Sequence, residues 1–251
     1  MDKSRALERF SSYVANYDPN NPRIALKIAH TYRVAELCER IAPSDSDLAW
    51  LCGLLHDIGR FEQVRRFDTF NDAVSVSHAD LGVDVLFSAK DDSEPFIHEF
   101  YGNTRDYDAI RTAIATHSDY RIPQGLDDRT RMLCNVLRDA DKIDILKVNC
   151  VCPIEDIYGV TSDDMAASEL SDEVVTTFYE HRTIPRSIRS YPADILVGHL
   201  CFAWELVYPQ SVSIMREQGY LDQMLDRTFS NQKTQATFAA MAVHMREQLY
   251  T

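Results

Sequence analysis

Apolar residues recur at spacings of three and four along most of the chain, the period of helices buried on one side, while period-two alternation is weak. The pattern predicts helices over about residues 4–16, 22–41, 47–60, 78–88, 105–117, 127–148, 171–182, 192–208 and 231–249. Asn21-Pro22 supplies an N-cap followed by proline at the first helical position. Pro43 and the run Ser44-Asp45-Ser46-Asp47 end that helix and cap the next. Phe61 to Ser77 shows no sustained period and is expected to be irregular. Pro192 and Pro209 bracket one of the later helices. No two alternating runs are joined by Asn-Gly or Asp-Gly, so hairpins are not expected. The expected class is all-α, with a helical core over residues 1–150 and a further helical region over 151–251 packed on it, one continuous domain being the alternative.

Composition narrows the function classes. Hydrophobic residues make up 45% of 251, enough for a substantial core. A net charge of −13 repels phosphate backbones, so no nucleic-acid polymer is expected as a partner. Small phosphorylated ligands stay open, because a bound metal reverses the local potential. The longest apolar run, Leu48 to Leu55, is far short of the roughly 20 residues of a membrane span. Met1-Asp2-Lys3-Ser4-Arg5 leads into mixed polar sequence, and the expectation is a cytoplasmic protein with no membrane partner. Six cysteines are too sparse for a disulfide scaffold. Cys38, Cys52, Cys134 and Cys201 read as small buried hydrophobes, and Cys150-Val151-Cys152 lacks the second pair that a zinc site needs.

The chemistry lies in polar residues on apolar stripes. His30 shares a stripe with Val34, Leu37, Cys38 and Ile41. His56 and Asp57 follow directly on the run Leu54-Leu55. Asp141 shares a stripe with Cys134, Leu137, Ile145 and Val148, where an unpaired charge is costly and a cation is the simplest remedy. A satisfied core histidine and a His–Asp hydrogen bond are the plainer alternatives for the first three.

The ordered set His30 … His56-Asp57 … Asp141, with Leu54-Leu55-His56-Asp57-Ile58-Gly59-Arg60 and Arg138-Asp139-Ala140-Asp141-Lys142-Ile143-Asp144 around it, resembles the HD-domain superfamily of metal-dependent phosphohydrolases. The resemblance covers about residues 24–148 and implies an HD-domain helical bundle with additional C-terminal helices. It implies metal ligands at His30, His56, Asp57 and Asp141. His78 and His117 fall where dinuclear members carry extra ligands, with Asp57 bridging; hydrogen bonding to substrate phosphate above a single ion is the alternative. One or two divalent transition metal ions are therefore expected, iron or manganese first, with zinc, nickel, cobalt or magnesium as alternatives.

The activity so implied is hydrolysis of a phosphate ester or anhydride of a small phosphorylated metabolite or nucleotide by metal-activated water. Asp57, Arg60 and Lys142 are the expected catalytic residues, and Arg60, Lys142 and Asp144 the expected substrate contacts. A helix-end cation for Arg60 and salt bridging for Lys142 and Asp144 are the structural alternatives. A di-iron HD-type oxygenase and a non-catalytic metal-binding regulatory module are the competing functions. His117 is followed by Ser118-Asp119-Tyr120, which departs from the cyclic-dinucleotide branch with its consecutive histidines. His98, His181, His199 and His244 fit no ligand pattern. Phe61 to Ser77, with Arg65, Arg66 and Asn71, is the expected specificity loop. Tyr191, Phe202, Trp204, Tyr208 and Tyr220 suit core packing or a homodimer face.

Overall fold

The computed structural model describes residues 1–89 and 93–250 and is all-helical, with no strand among the described residues. The chain divides into two compact units, residues 1–141 and 142–251. The first holds α1 (Lys3–Val14), α2 (Pro22–Ile41), α3 (Ser46–Leu55), α4 (Ile58–Phe67), α5 (His78–Phe87), α6 (Ile97–Phe100), α7 (Tyr107–Thr116) and the larger part of α8 (Asp128–Val151).

Local signals explain where these helices start. Asn21 Oδ1 accepts from Arg23 N at 2.9 Å, with Pro22 at the first helical position of α2. Asp127 caps α8 by accepting from the Arg129 and Thr130 amides, each at 3.0 Å. The centre of the unit is α2 packed on α3, with Val34, Cys38 and Ile41 of the one and Leu48, Leu51 and Leu55 of the other all buried. Each such side chain contributes about 1.5–3 kcal/mol of burial free energy. Gly53 is required at this contact: a Cβ there would lie 2.7 Å from Ala35 Cα.

The single helix expected over 47–60 is in fact two. Asp57 leaves the helical region (φ −102°, ψ 15°), and Arg60 N then bonds Asp57 O at 2.9 Å to open α4. The helix runs on to Phe67, so the expected irregular stretch is half helical. Ile58, Phe61 and Val64 carry the buried face of α4, and the break lets them turn inward. Gly59 sits where α4 meets α5, and a Cβ there would approach His78 O to 2.2 Å.

The second unit continues with α9 (Ile154–Tyr158), α10 (Ser162–Ala167), α11 (Asp172–Tyr179), α12 (Pro192–Leu200), α13 (Pro209–Gln218), α14 (Tyr220–Leu225) and α15 (Gln232–Tyr250). The helix expected over 192–208 ends at Leu200 and is followed by a 3₁₀ turn, Cys201–Glu205. Pro209 opens α13 rather than closing its predecessor. Asp194 is fully buried, and its carboxylate accepts from Ser171 N, Ser171 Oγ, Ser190 N and Tyr191 N at 2.7–3.0 Å. Those four donors tie the connections before α11 and α12 together, compensating the burial of the charge. His181 stacks on Trp204 with centroids 4.2 Å apart, and its Nε2 lies 2.8 Å from His244 Nε2. His199 Nδ1 lies 3.1 Å from Asn149 Nδ2. The cysteines are free, and no helix among the described residues is long and apolar enough to cross a membrane.

Candidate metal centre

Six side chains, carried by helices or by residues at helix ends, converge in the first unit. His30 comes from the middle of α2, and His56 and Asp57 from the break between α3 and α4. His78 is the first residue of α5, His117 follows the last residue of α7, and Asp141 lies in α8. All but Asp141 are buried, and its side chain is only 15% exposed. His30, His56 and Asp141 offer ligand atoms within 4.8 Å of one another, as do His56, Asp57 and His117.

The Asp57 carboxylate divides this set. Its Oδ2 lies 3.4 Å from His56 Nε2 and 3.6 Å from His30 Nε2. Its Oδ1 lies 3.6 Å from His78 Nε2 and 3.8 Å from His117 Nε2. Asp141 Oδ1 completes the first group, 3.1 Å from His30 Nε2 and 3.8 Å from His56 Nε2.

The ring orientations follow from what the Nδ1 atoms meet. His56 Nδ1 lies 2.7 Å from Gly53 O, and His117 Nδ1 lies 2.7 Å from Ile114 O. A carbonyl only accepts, so both Nδ1 atoms carry the proton and both Nε2 atoms present a lone pair when the ring is neutral. Both histidines stand just past a helix end and use the carbonyl three residues back. His78 Nδ1 donates instead to Asp72 Oδ2 at 2.7 Å. Arg138 of α8 donates to the carbonyls of Thr116, His117 and Asp119 at 3.0, 3.1 and 2.6 Å, capping the end of α7 that carries His117.

Electrostatics keeps the two carboxylates ionised and the His56 and His78 imidazoles neutral. Burial opposes ionisation of Asp57, but the Lys27 ammonium, His56 and His117 outweigh it and hold the carboxyl well below its ordinary range. Burial likewise opposes ionisation of Asp141, and the hydrogen bond from His30 together with the neighbouring imidazoles overcomes it. Burial, and then the charge of Arg60, pushes the His78 imidazole down to about 3. Burial also lowers His56.

The result is a pocket of acceptors. His78 Nε2 and His117 Nε2 face each other at 3.0 Å beside the Asp57 carboxylate, and His56 Nε2 lies 3.3 Å from His30 Nε2, which donates to Asp141 Oδ1. Buried acceptors facing acceptors are costly unless a cation stands among them. Imidazole nitrogen and carboxylate oxygen are a donor set suited to first-row divalent ions. The residues present therefore fit a bound metal.

The cations expected at substrate are engaged elsewhere in this structure. Arg60 donates to Gln63 Oε1 and Phe70 O at 2.7 Å and to Asp72 Oδ1 at 2.9 Å, with its Nε 3.5 Å from Asp57 Oδ1. Lys142 Nζ pairs with Glu205 Oε2 at 2.5 Å. Asp144 is buried one turn beyond Asp141. Arg65 and Arg66 reach Glu62 at 2.6 and 2.9 Å, and Asn71 caps the turn Asp72–Val74.

Two residues at the site escaped the sequence reading. Lys27 Nζ lies 2.5 Å from Asp57 Oδ2. Its signal was present, since it shares the His30 face of α2 at i−3. Asp72 holds His78 and Arg60 from an irregular segment, where periodicity carries no information.

A family model for the HD domain matches residues 28–148, a span that holds all six converging side chains. Comparison with curated proteins and with solved structures found no match. The chain thus belongs, through residues 28–148, to the HD-domain superfamily, whose members are commonly metal-dependent hydrolases.

Proposed function

We propose that this protein is a dinuclear metal-dependent phosphohydrolase acting on a small phosphorylated metabolite or nucleotide. The observation that carries this reading is the division of Asp57, Oδ2 toward His30 and His56 and Oδ1 toward His78 and His117. On this reading His30, His56, Asp57 and Asp141 hold one ion, and His78, His117 and Asp57 the second, with iron and manganese among the ions such ligands suit. Ions held there acidify water for in-line attack on phosphorus and neutralise phosphate charge.

The chain's own part is positioning. Gly53 O and Ile114 O fix the rings of His56 and His117, so that no reorientation is needed when ligands bind. Arg60 acts through Asp72, which orients His78, and its Nε edge faces Asp57. A role for Lys142 at phosphate requires it to exchange the Glu205 carboxylate, and Asp144 serves as its neighbour on α8.

Elemental analysis of protein purified without chelator, followed by anaerobic assay on phosphoesters, tests the reading. Bound transition metal, lost in His56→Ala and Asp57→Ala but kept in His244→Ala, is expected. Phosphate released without dioxygen should carry one oxygen from labelled water. Turnover coupled to dioxygen consumption would overturn it in favour of a di-iron oxygenase.

A further inference from the structure

The ammonium of Lys27 rests on the same carboxylate oxygen that faces His30 and His56. Nζ is 2.5 Å from Asp57 Oδ2, and the two side chains are 15% and 3% exposed. Lys27 lies one residue before the segment that the family model matches. Two cations flank Asp57, and they differ in how they are held. Arg60 is pinned by Gln63, the Phe70 carbonyl and Asp72. Lys27 meets a single carboxylate among its described contacts, and its ammonium stands 5.5 Å from the Phe70 ring centroid. Phe70 is partly exposed, so an ammonium leaving Asp57 moves over an aromatic face at the solvent side of the site.

We infer that Lys27 is a resident counter-cation that competes with a metal ion for Asp57 Oδ2 and, once displaced, binds the anionic group of the substrate. This rests on the metal-centre reading above and adds to it a regulation of ion affinity. With no metal, Lys27 compensates a buried carboxylate that would otherwise be strongly destabilising. An ion can take Oδ2 only in the fraction of molecules whose Lys27 has let go, so apparent affinity falls by that fraction. Metal binding then turns a buried ion pair into a free cation beside the site, where phosphate oxygens need one. A cation this close to a carboxylate shifts its proton affinity by about one to three powers of ten, which sets the scale of its competition with an ion.

Calorimetric titration of metal-free protein with Mn²⁺, then of the loaded protein with inorganic phosphate, tests this in wild type, Lys27→Met and Lys27→Gln. Met keeps the stem over Phe70, and Gln keeps a donor toward Oδ2 should the Met variant not fold. The expected result is Mn²⁺ binding about tenfold or more tighter in the variants, with phosphate binding weaker. A measurement on wild type needs no variant: amine acetylation of Lys27, read by mass spectrometry, should rise on adding Mn²⁺. Unchanged or weaker Mn²⁺ binding in the variants, unchanged phosphate binding, or Lys27 acetylation that does not rise overturns the inference alone. A wild type that takes up no ion overturns it together with the metal centre.

Discussion

His78 Nδ1 lies 2.7 Å from Asp72 Oδ2, and Asp72 Oδ1 accepts from Gln63 at 2.8 Å and Arg60 at 2.9 Å. One carboxylate from an irregular segment thereby ties the first residue of α5 to the middle of α4. Burial opposes its ionisation, but the His78 hydrogen bond and the Arg60 charge hold the carboxyl below its ordinary range. Carboxylates that orient ligand histidines commonly contribute about 10- to 100-fold in metal affinity. Asp72→Ala should therefore weaken binding of one ion by that factor and leave the other intact, as read by competition with a chromogenic chelator. Asp72→Asn keeps an acceptor for the His78 N–H and should recover much of the loss. Equal behaviour of the two variants would contradict an orienting role.

The six converging side chains were legible because each is a metal-competent residue on an apolar stripe or directly after one. What was not legible depends on tertiary contact. Neither His56 nor Asp57 is a helix breaker, and Ile58, Phe61 and Val64 continue the apolar pattern past them, so a single helix over 47–60 was the natural reading. The break arises where α5 crosses against Gly59, a long-range event that local propensity does not encode. Pro209 was ambiguous for another reason: proline both follows helix ends and opens helices, and here it opens α13.

Gly59 tests that crossing. A methyl group there would lie 2.2 Å from His78 O and 2.4 Å from Gly82 N, both backbone atoms that cannot swing aside. Gly59→Ala should cost about 3 kcal/mol or more through overpacking and should displace His78 with the start of α5. Gly102→Ala, whose new Cβ would meet nothing nearer than His98 Cε1 at 4.0 Å, should stay within about 0.5 kcal/mol of wild type. Chemical denaturation of both variants makes the comparison. A Gly59→Ala protein as stable as wild type would mean that α4 and α5 pack differently.

Asp106 gives the acid response of the first unit a defined component. It is buried, and it accepts from Tyr101 Oη at 2.5 Å, Asn103 Nδ2 at 2.8 Å and the Arg129 guanidinium. Burial opposes ionisation, but these three partners outweigh it and lower the carboxyl below its ordinary value. A depressed folded-state value means that the unfolded chain takes up the proton first. The stabilisation is therefore complete above the unfolded-state value of about 3.9 and is lost as pH falls through the folded-state value. Asp106→Asn should cost about 1–2 kcal/mol at neutral pH, screening at the half-exposed Arg129 included. The difference between the variant and wild type should be smaller at about pH 3 than at neutral pH. Denaturant midpoints at both pH values decide it, and a difference that grows on acidification has the wrong sign.

Nuclearity is decided by His78 and His117. Their Nε2 atoms stand 3.0 Å apart and both face Asp57 Oδ1, while Oδ2 serves the opposite group. If they hold a second ion, His78→Ala and His117→Ala should each lower the metal content from two ions toward one. The rate should fall by orders of magnitude, because half of the charge neutralisation at the phosphoryl group is lost with the ion. Binding of phosphate directly by the two imidazoles has a different signature. Metal content would stay unchanged and the loss would fall mainly on KM, with a smaller effect on kcat where contacts tighten in the transition state. The neutral state of His78 favours the first outcome, because a ring whose Nδ1 proton is committed to Asp72 offers phosphate a lone pair and no donor. Unchanged metal content in both variants would defeat the two-ion reading and leave a single ion held by His30, His56, Asp57 and Asp141.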